Sequence, residues 1–310
     1  MDNPDRKQNA TKKCGRHPDW LKVRAPLGES VHALKKILKG QGLNTVCQEA
    51  RCPNMGECWG HGVATFMILG SICTRGCKYC AVTKGTPEPL NGEEPLRVAE
   101  AVEEMGLSHA VITSVNRDDL EDGGASVFAA VIREIRRRSQ ACTIEVLVPD
   151  FKGRIESLEI VLGEAPDIFN HNIETVPSLF PRARGGGDYR LSLSVLKKAR
   201  EIGTETVTKS GLMLGLGETD SEIEQVLADL LDAGVELLTL GQYLRPGKWN
   251  LPVEKFYTPD EFSKWKQVGE EMGFASVESA PLVRSSYMAD RQLAGVLEKL
   301  RLDPSDHTPE

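Results

Sequence analysis

Six of the chain's eight cysteines fall within the 34 positions from Cys47 to Cys80, and no other feature constrains the fold as much. In a short secreted domain such crowding would mean disulfides. A chain of 310 residues, 40% of them apolar before its 29 glycines are counted, can build a core without covalent staples. Metal binding is then the favoured use of the thiols, and thiolates suit soft metals and iron-sulfur clusters. The six form two triplets, C-x4-C-x5-C at Cys47, Cys52 and Cys58, and C-x3-C-x2-C at Cys73, Cys77 and Cys80. Structural zinc takes about four ligands, usually as paired CxxC-like knuckles, which neither triplet supplies unless His61 or His171 completes it. Three thiolates on a cubane of about four irons leave one iron for another ligand, a non-cysteine side chain or a substrate. An open iron position is a catalytic feature. Cys14 and Cys142 stand apart and read as small buried hydrophobes.

Charge excludes some partners. The chain carries 38 basic and 45 acidic side chains, a net charge of -7, which argues against a general electrostatic hold on nucleic acid or on an anionic membrane. No apolar run approaches the ~18 residues of a membrane span, the longest candidate running from Gly62 to Cys73. The opening MDNPDRKQNATKK has no hydrophobic stretch for a secretory signal, and its early aspartates argue against a transit peptide, so a cytoplasmic protein is expected. Residues 1–40 are basic, at net +6, and are expected to be an irregular leader, either a solvated tail or a dock for an acidic partner.

From Gly62 onward short apolar runs alternate with amphipathic stretches, as in repeated βα units. Strands are expected at Val63–Leu69, His109–Ser114, Thr143–Val148, Asp167–Asn172, Thr206–Leu214 and Leu237–Tyr243. Helices are expected at Pro95–Met105, Ser126–Arg138, Leu191–Ile202 and Ser221–Ala233, with a weaker one near Ile155–Leu162. Thr219 with Glu222 and Thr258 with Glu261 form capping boxes, the second reinforced by Pro259. Right-handed crossovers curl such a parallel sheet into a barrel or part of one. The polar residues follow the strands: Cys73–Cys80 the first, Asn116-Arg117-Asp118-Asp119 the second, Glu174 the fourth and Arg245 the sixth. That is the carboxyl face, where such barrels keep their chemistry.

The segment ICTRGCKYCAV, with Tyr79 before the last cysteine, resembles the signature of the radical S-adenosylmethionine (SAM) enzymes. In that superfamily the amino and carboxylate groups of SAM hold the fourth iron, and an electron from the cluster cleaves the sulfonium to a 5'-deoxyadenosyl radical. Gly76 fits a loop that needs close backbone approach and often positive φ. Further segments narrow the resemblance: HPDWLKVRAP, CQEARCPNMGEC, TSVNRDDLEDGG, NHNIETV, TKSGLMLGLGET, YLRPGKWNLPVEKF and PLVRSSYMAD. Together they run from His17 to Asp290 and are similar to the lipoyl synthase family.

This resemblance implies a partial (β/α)6 TIM-type barrel at 62–250, an auxiliary-cluster extension at 1–61 and a carboxy-terminal helical segment with the RSSY motif at 251–310. It implies two 4Fe-4S clusters, one on Cys73, Cys77 and Cys80 with SAM, the other on Cys47, Cys52, Cys58 and Ser286, with Ser285 the fallback. The auxiliary cluster would be consumed as the sulfur source. The radical would remove hydrogen from C8 and C6 of an octanoyl chain on a carrier lysine, so that two SAM molecules are spent per lipoyl group. Partners would be octanoylated lipoyl carrier domains of 2-oxo acid dehydrogenases or of the glycine cleavage system, and an electron donor such as ferredoxin or flavodoxin. A hard oxygen on a soft iron is an exchangeable ligand, suited to a cluster that is dismantled.

Tyr79 is expected beside the adenine, and Asn116, Asn172 and Glu174 at the ribose or methionine. Arg117 or Asp118 would instead close a salt bridge that shapes the loop. Gly215-Leu216-Gly217 lacks the third glycine of a dinucleotide fingerprint and reads as a loop admitting the cofactor, and Gly185 to Gly187 as a flexible turn. The family leads one to expect histidine at Trp249 and Met288 and glycine at Ala280, positions that bear on how the carrier or the acyl chain is received. Competing readings are a methylthiotransferase, which would bring a recognition domain and widely spaced amino-terminal cysteines, a radical biotin synthase, which would need neither the first triplet nor RSSY, and a non-catalytic metal-binding module.

Overall fold

The computed structural model describes residues 17–22, 29–49 and 52–302. Ten strands are present among them: β1 (Asn44–Thr45), β2 (Val63–Ile68), β3 (Ile72–Cys73), β4 (Thr83–Lys84), β5 (His109–Ser114), β6 (Thr143–Leu147), β7 (Ile168–Asn170), β8 (Val207–Leu214), β9 (Leu237–Gln242) and β10 (Ser276–Ala280). Eight build one sheet in the order β1-β2-β5-β6-β7-β8-β9-β10, parallel throughout except for β1. β2 and β9 are buried at every residue, as parallel strands covered on both faces must be. Among the described residues no pairing joins β10 to β1, so the sheet is a partial barrel. β3 and β4 form a small parallel ribbon that frames the loop carrying Cys77 and Cys80.

Helices pack outside. The helix Ala125–Arg138 buries Phe128, Ala129, Val131, Ile132 and Ile135, the three-and-four spacing of a core-facing stripe. Both expected capping boxes are formed, Thr219 with Glu222 and Thr258 with Glu261. Within the strand layer Lys209 and Glu145 are fully buried and paired at 3.0 Å, and Asn170 donates to the same carboxylate at 2.7 Å.

Two expectations need correction. The leader is not irregular throughout, because Glu29–Gly40 is a helix whose Leu38 enters the main core. Val31, Leu34, Ile37 and Leu38 already make the apolar stripe, which the tally of charges hid. The carboxy-terminal segment is not only helical: β10 extends the sheet, and β1 does so from the other end, so the sheet crosses both 61/62 and 250/251. As an edge strand, β10 buries only Val277, so its sequence lacks the apolar run of the inner strands. The rest of the basic leader, residues 1–16 and 23–28, with Cys14, lies outside the described residues. No described helix is long and apolar enough to cross a membrane.

Candidate functional site

The loop after β3 carries Cys77 and Cys80 and is fixed from several sides. Lys78 N–H donates to Ala183 O at 2.7 Å, Asn250 Nδ2 donates to Cys80 O at 2.9 Å, and Leu251 N–H donates to Lys78 O at 2.9 Å. Arg75, between the first two cysteines, is buried and paired with two carboxylates. Its Nε and Nη2 reach Asp118 at 2.7 and 2.8 Å, and its Nη1 and Nη2 reach Asp150 at 2.5 and 2.8 Å. Asp118 therefore does shape the loop. Arg117 pairs with Asp119 at 2.9 Å and also donates to Leu69 O.

Gly76 has no positive φ. Its constraint is space, since a Cβ there would lie 2.9 Å from Lys84 Cδ. Gly185 is packed rather than a free turn, because a Cβ would sit 3.2 Å from Gly76 O. Gly215 and Gly217 do take positive φ, but the turn serves its neighbours: Glu218 accepts from Gly215 N and Leu216 N, and a Cβ on Gly215 would meet Lys255 O at 2.5 Å.

All six thiols are free, and Cys47 and Cys73 are buried. Burial, and behind it the neighbouring thiols, pushes Cys80 up to about 11 and Cys58 to about 12. Backbone N–H groups are aimed at the sulfurs: Arg75 and Asn116 at Cys73 Sγ (3.4 and 3.3 Å), Val82 at Cys80 Sγ (3.4 Å). Such donors favour a thiolate and tune a cluster. Among the described residues no three Cys, His, Asp or Glu side chains close around a single ion, the arrangement that a mononuclear knuckle with ~2.3 Å Zn–S bonds requires.

A cavity of about 710 Å³ lies at the carboxyl ends of the strands. Cys73, Cys77 and Cys80 line it, as do Cys47, Cys52, Ser285 and Ser286. Cys58 opens onto a smaller adjoining pocket, together with Cys47, Cys52 and Ser286 but not Ser285. Thr65 Oγ1 donates to Ser286 Oγ at 2.9 Å. Asn54 Nδ2 donates to Leu282 O at 2.6 Å, tying the first triplet to the RSSY segment.

The expected cofactor residues Tyr79, Asn116, Asn172 and Glu174 line the same cavity. Glu174 is held in a left-handed conformation, φ 72°, by bonds from its N–H to Gly211 O (2.9 Å) and to its own carbonyl from Met213 N (3.0 Å). Such backbone strain persists where the surroundings over-determine it. Burial raises the Glu174 carboxyl, and Arg184 opposes that rise. Asn172 Oδ1 is buried without a partner among the described residues, so an acceptor stands ready for a donor from an occupant. Sequence reasoning missed Arg184, which donates to Asn172 O at 2.7 Å and lies 3.3 Å from His171 Nε2. It also passed over Arg75, although a charged residue between two cysteines was a visible signal. Of the three departures, Trp249 is half exposed with Lys78 Nζ 4.7 Å above its ring, Ala280 pairs with Gly241, and Met288 takes φ 52°.

A curved parallel sheet with a three-cysteine loop at its carboxyl edge is the architecture of a radical SAM protein, and residues 67–230 match the model of the Radical SAM superfamily. Solved structures share the fold: methylornithine synthase (TM-score 0.52, 13% identity, 88% of this chain and 92% of that one) and the FeFe-hydrogenase maturase HydG from Carboxydothermus hydrogenoformans (TM-score 0.55, 15% identity, 87% and 78%). Residues 2–52 match the N-terminal domain of lipoyl synthase of the Radical SAM family. The chain is 56% identical over 280 residues to the lipoyl synthase of Rubrobacter xylanophilus (90% of this chain, 87% of that one) and 54% identical over 275 to that of Koribacter versatilis (89% and 90%). It belongs to the lipoyl synthase family.

Proposed function

We propose that this chain inserts two sulfur atoms, at C6 and C8, into an octanoyl group amide-linked to a lysine of a lipoyl carrier domain. Carriers would be those of 2-oxo acid dehydrogenase complexes or of the glycine cleavage system, and the electron donor a ferredoxin or flavodoxin in the cytoplasm. In this reading Cys73, Cys77 and Cys80 hold one 4Fe-4S cluster, and Cys47, Cys52, Cys58 and Ser286 hold a second. When bound, SAM with the first cluster would supply hydrogen-abstracting chemistry, and the second cluster would supply sulfur. The observation that carries the reading is that members of both cysteine triplets line one cavity. Ser286 is preferred over Ser285 because it alone of the pair also lines the pocket containing all three auxiliary thiols.

The chain's own residues define the rest of the work. The backbone donors onto Cys73 and Cys80 orient those sulfurs and would hydrogen-bond to a cluster's thiolates. Asn172, with its free acceptor, and Glu174, with its fixed backbone, orient the polar part of the cofactor, while Tyr79 packs against its aromatic part. Met67, Val115, Val148, Leu212 and Val283 give the cavity an apolar wall for the acyl chain and keep out water that would quench a radical.

The test is anaerobic incubation of the iron-loaded chain with an octanoyl-lysine peptide, SAM and a reductant. Mass spectrometry is expected to find two sulfurs on the product, and iron analysis about eight irons per chain. A sulfur-free product, or a single cluster's worth of iron, overturns the reading.

A further inference from the structure

Arg284, the first residue of the RSSY motif, is the cation that the site described so far does not use. It is half-buried and lines both the large cavity and the small pocket formed by Cys47, Cys52, Cys58 and Ser286. Its Nη1 donates to Val283 O at 2.6 Å, and among the described residues no carboxylate pairs with it. One of a guanidinium's five donors is thus engaged, and the charge is uncompensated. Arg75 and Arg117, by contrast, have two carboxylates and one, and Arg184, which has none, bonds to Asn172 O and His171. Removing a charge from water without a partner costs several kcal/mol, so an anion belongs beside Arg284.

The surroundings say which anion. The small pocket that Arg284 lines holds all three auxiliary thiols and Ser286, and among the described residues no carboxylate lines it. Arg284 is the one lysine or arginine among the described residues lining that pocket. A cubane held by three thiolates and a serine oxygen is net anionic, and its reduction potential depends on local charge and on hydrogen bonds to its sulfurs.

Resting on the ligand set proposed above, we infer that Arg284 is the counter-cation of the auxiliary cluster, a positioning residue that stabilises the cluster's negative charge and raises its reduction potential. The inference makes opposite demands on the empty and the loaded protein. Without the cluster Arg284 is an unpaired charge, so replacing it with an apolar residue of similar length leaves the fold as stable or more so. With the cluster bound, the same replacement weakens it.

The full-length chain carrying Cys73→Ala, Cys77→Ala and Cys80→Ala isolates the auxiliary site. In that background Arg284→Met and Arg284→Lys are compared with the parent by iron content, rate of iron loss to a chelator, midpoint potential and melting temperature of the metal-free form. Arg284→Met is expected to shift the one-electron reduction equilibrium about tenfold toward the oxidised form, ~59 mV more negative. Iron loss is expected to be about tenfold faster, with metal-free melting no lower than in the parent. Arg284→Lys, which keeps the charge, recovers most of the potential. A Met variant with unmoved potential and iron retention, or a Lys variant as perturbed as Met, overturns the counter-cation role. A parent that binds no cluster overturns the ligand set as well, so the two failures are distinguishable.

Discussion

At the scale of single residues, the site is built from groups whose protonation the fold has decided. His171 is fully buried, with Nδ1–H donating to Val148 O at 2.8 Å, so its Nε2 carries the lone pair facing Arg184. Burial, and then the Arg184 charge, lowers it from 6.5 to about 3. Between those values the unfolded chain binds a proton that the folded one refuses, so the contribution is present above pH 6.5 and is lost as pH falls toward 3. His171→Gln is therefore expected to flatten the acid limb of the stability curve by up to ~1.4 kcal/mol per pH unit, read from urea midpoints between pH 4 and 7. Parallel curves would show that His171 does not set that limb. Ser286 tests a different property, the exchangeability of an oxygen ligand. Under the proposed ligand set, Ser286→Cys keeps its iron but slows sulfur insertion by about tenfold or more, because a thiolate holds its iron more firmly than an alkoxide. Insertion at the parent rate would deprive the serine of that role.

At the scale of elements, the cysteine loop depends on carboxylates that follow β5 and β6. Asp150 is buried, and although burial opposes its charge, Arg75 holds it down at about 2. Asp150→Ala leaves Arg75 half-paired in the interior and is expected to cost ~3–5 kcal/mol. Asp220→Ala, which removes a carboxylate paired with Lys264 where both side chains are more than half exposed, is expected to cost under about 1 kcal/mol. Chemical denaturation of the two metal-free variants checks the ratio, and equal losses would place the loop's anchor elsewhere. Sequence marked Arg117 or Asp118 as closing a loop-shaping salt bridge, and Asp118 does bind Arg75, but Asp150, the buried second partner of Arg75, no motif marked. The inner strands were legible within a residue or two because each carries a short apolar stretch, interrupted only by Thr65 in β2 and confined to Leu212–Leu214 and Val207 in β8. β10 was not, because an edge strand with one buried residue has no such run.

At the scale of the whole molecule, Cys47 and Ser286 lie at opposite ends of the chain, and no local pattern joins them; only family resemblance paired them in advance. The fold brings them together because β1 and β10 are the two edges of the open sheet, and because Asn54 and Thr65 bond to Leu282 and Ser286 across the gap. The second triplet stands on the loop framed by β3 and β4 and clamped by Asn250 and Leu251. The two halves of the site thus have separate supports and a common cavity, and this architecture predicts separable losses. Cys77→Ala is expected to abolish 5'-deoxyadenosine formation while the auxiliary triplet still retains its iron. Cys52→Ala is expected to keep SAM cleavage and lose sulfur insertion, because its thiol belongs to the other support. Deoxyadenosine assay, product mass and iron content, measured on both variants in parallel, decide it. Lipoyl product from Cys52→Ala would remove the donor role from the first triplet. Loss of iron from both triplets in either variant would mean that the supports are not independent and that one damaged centre collapses the shared cavity.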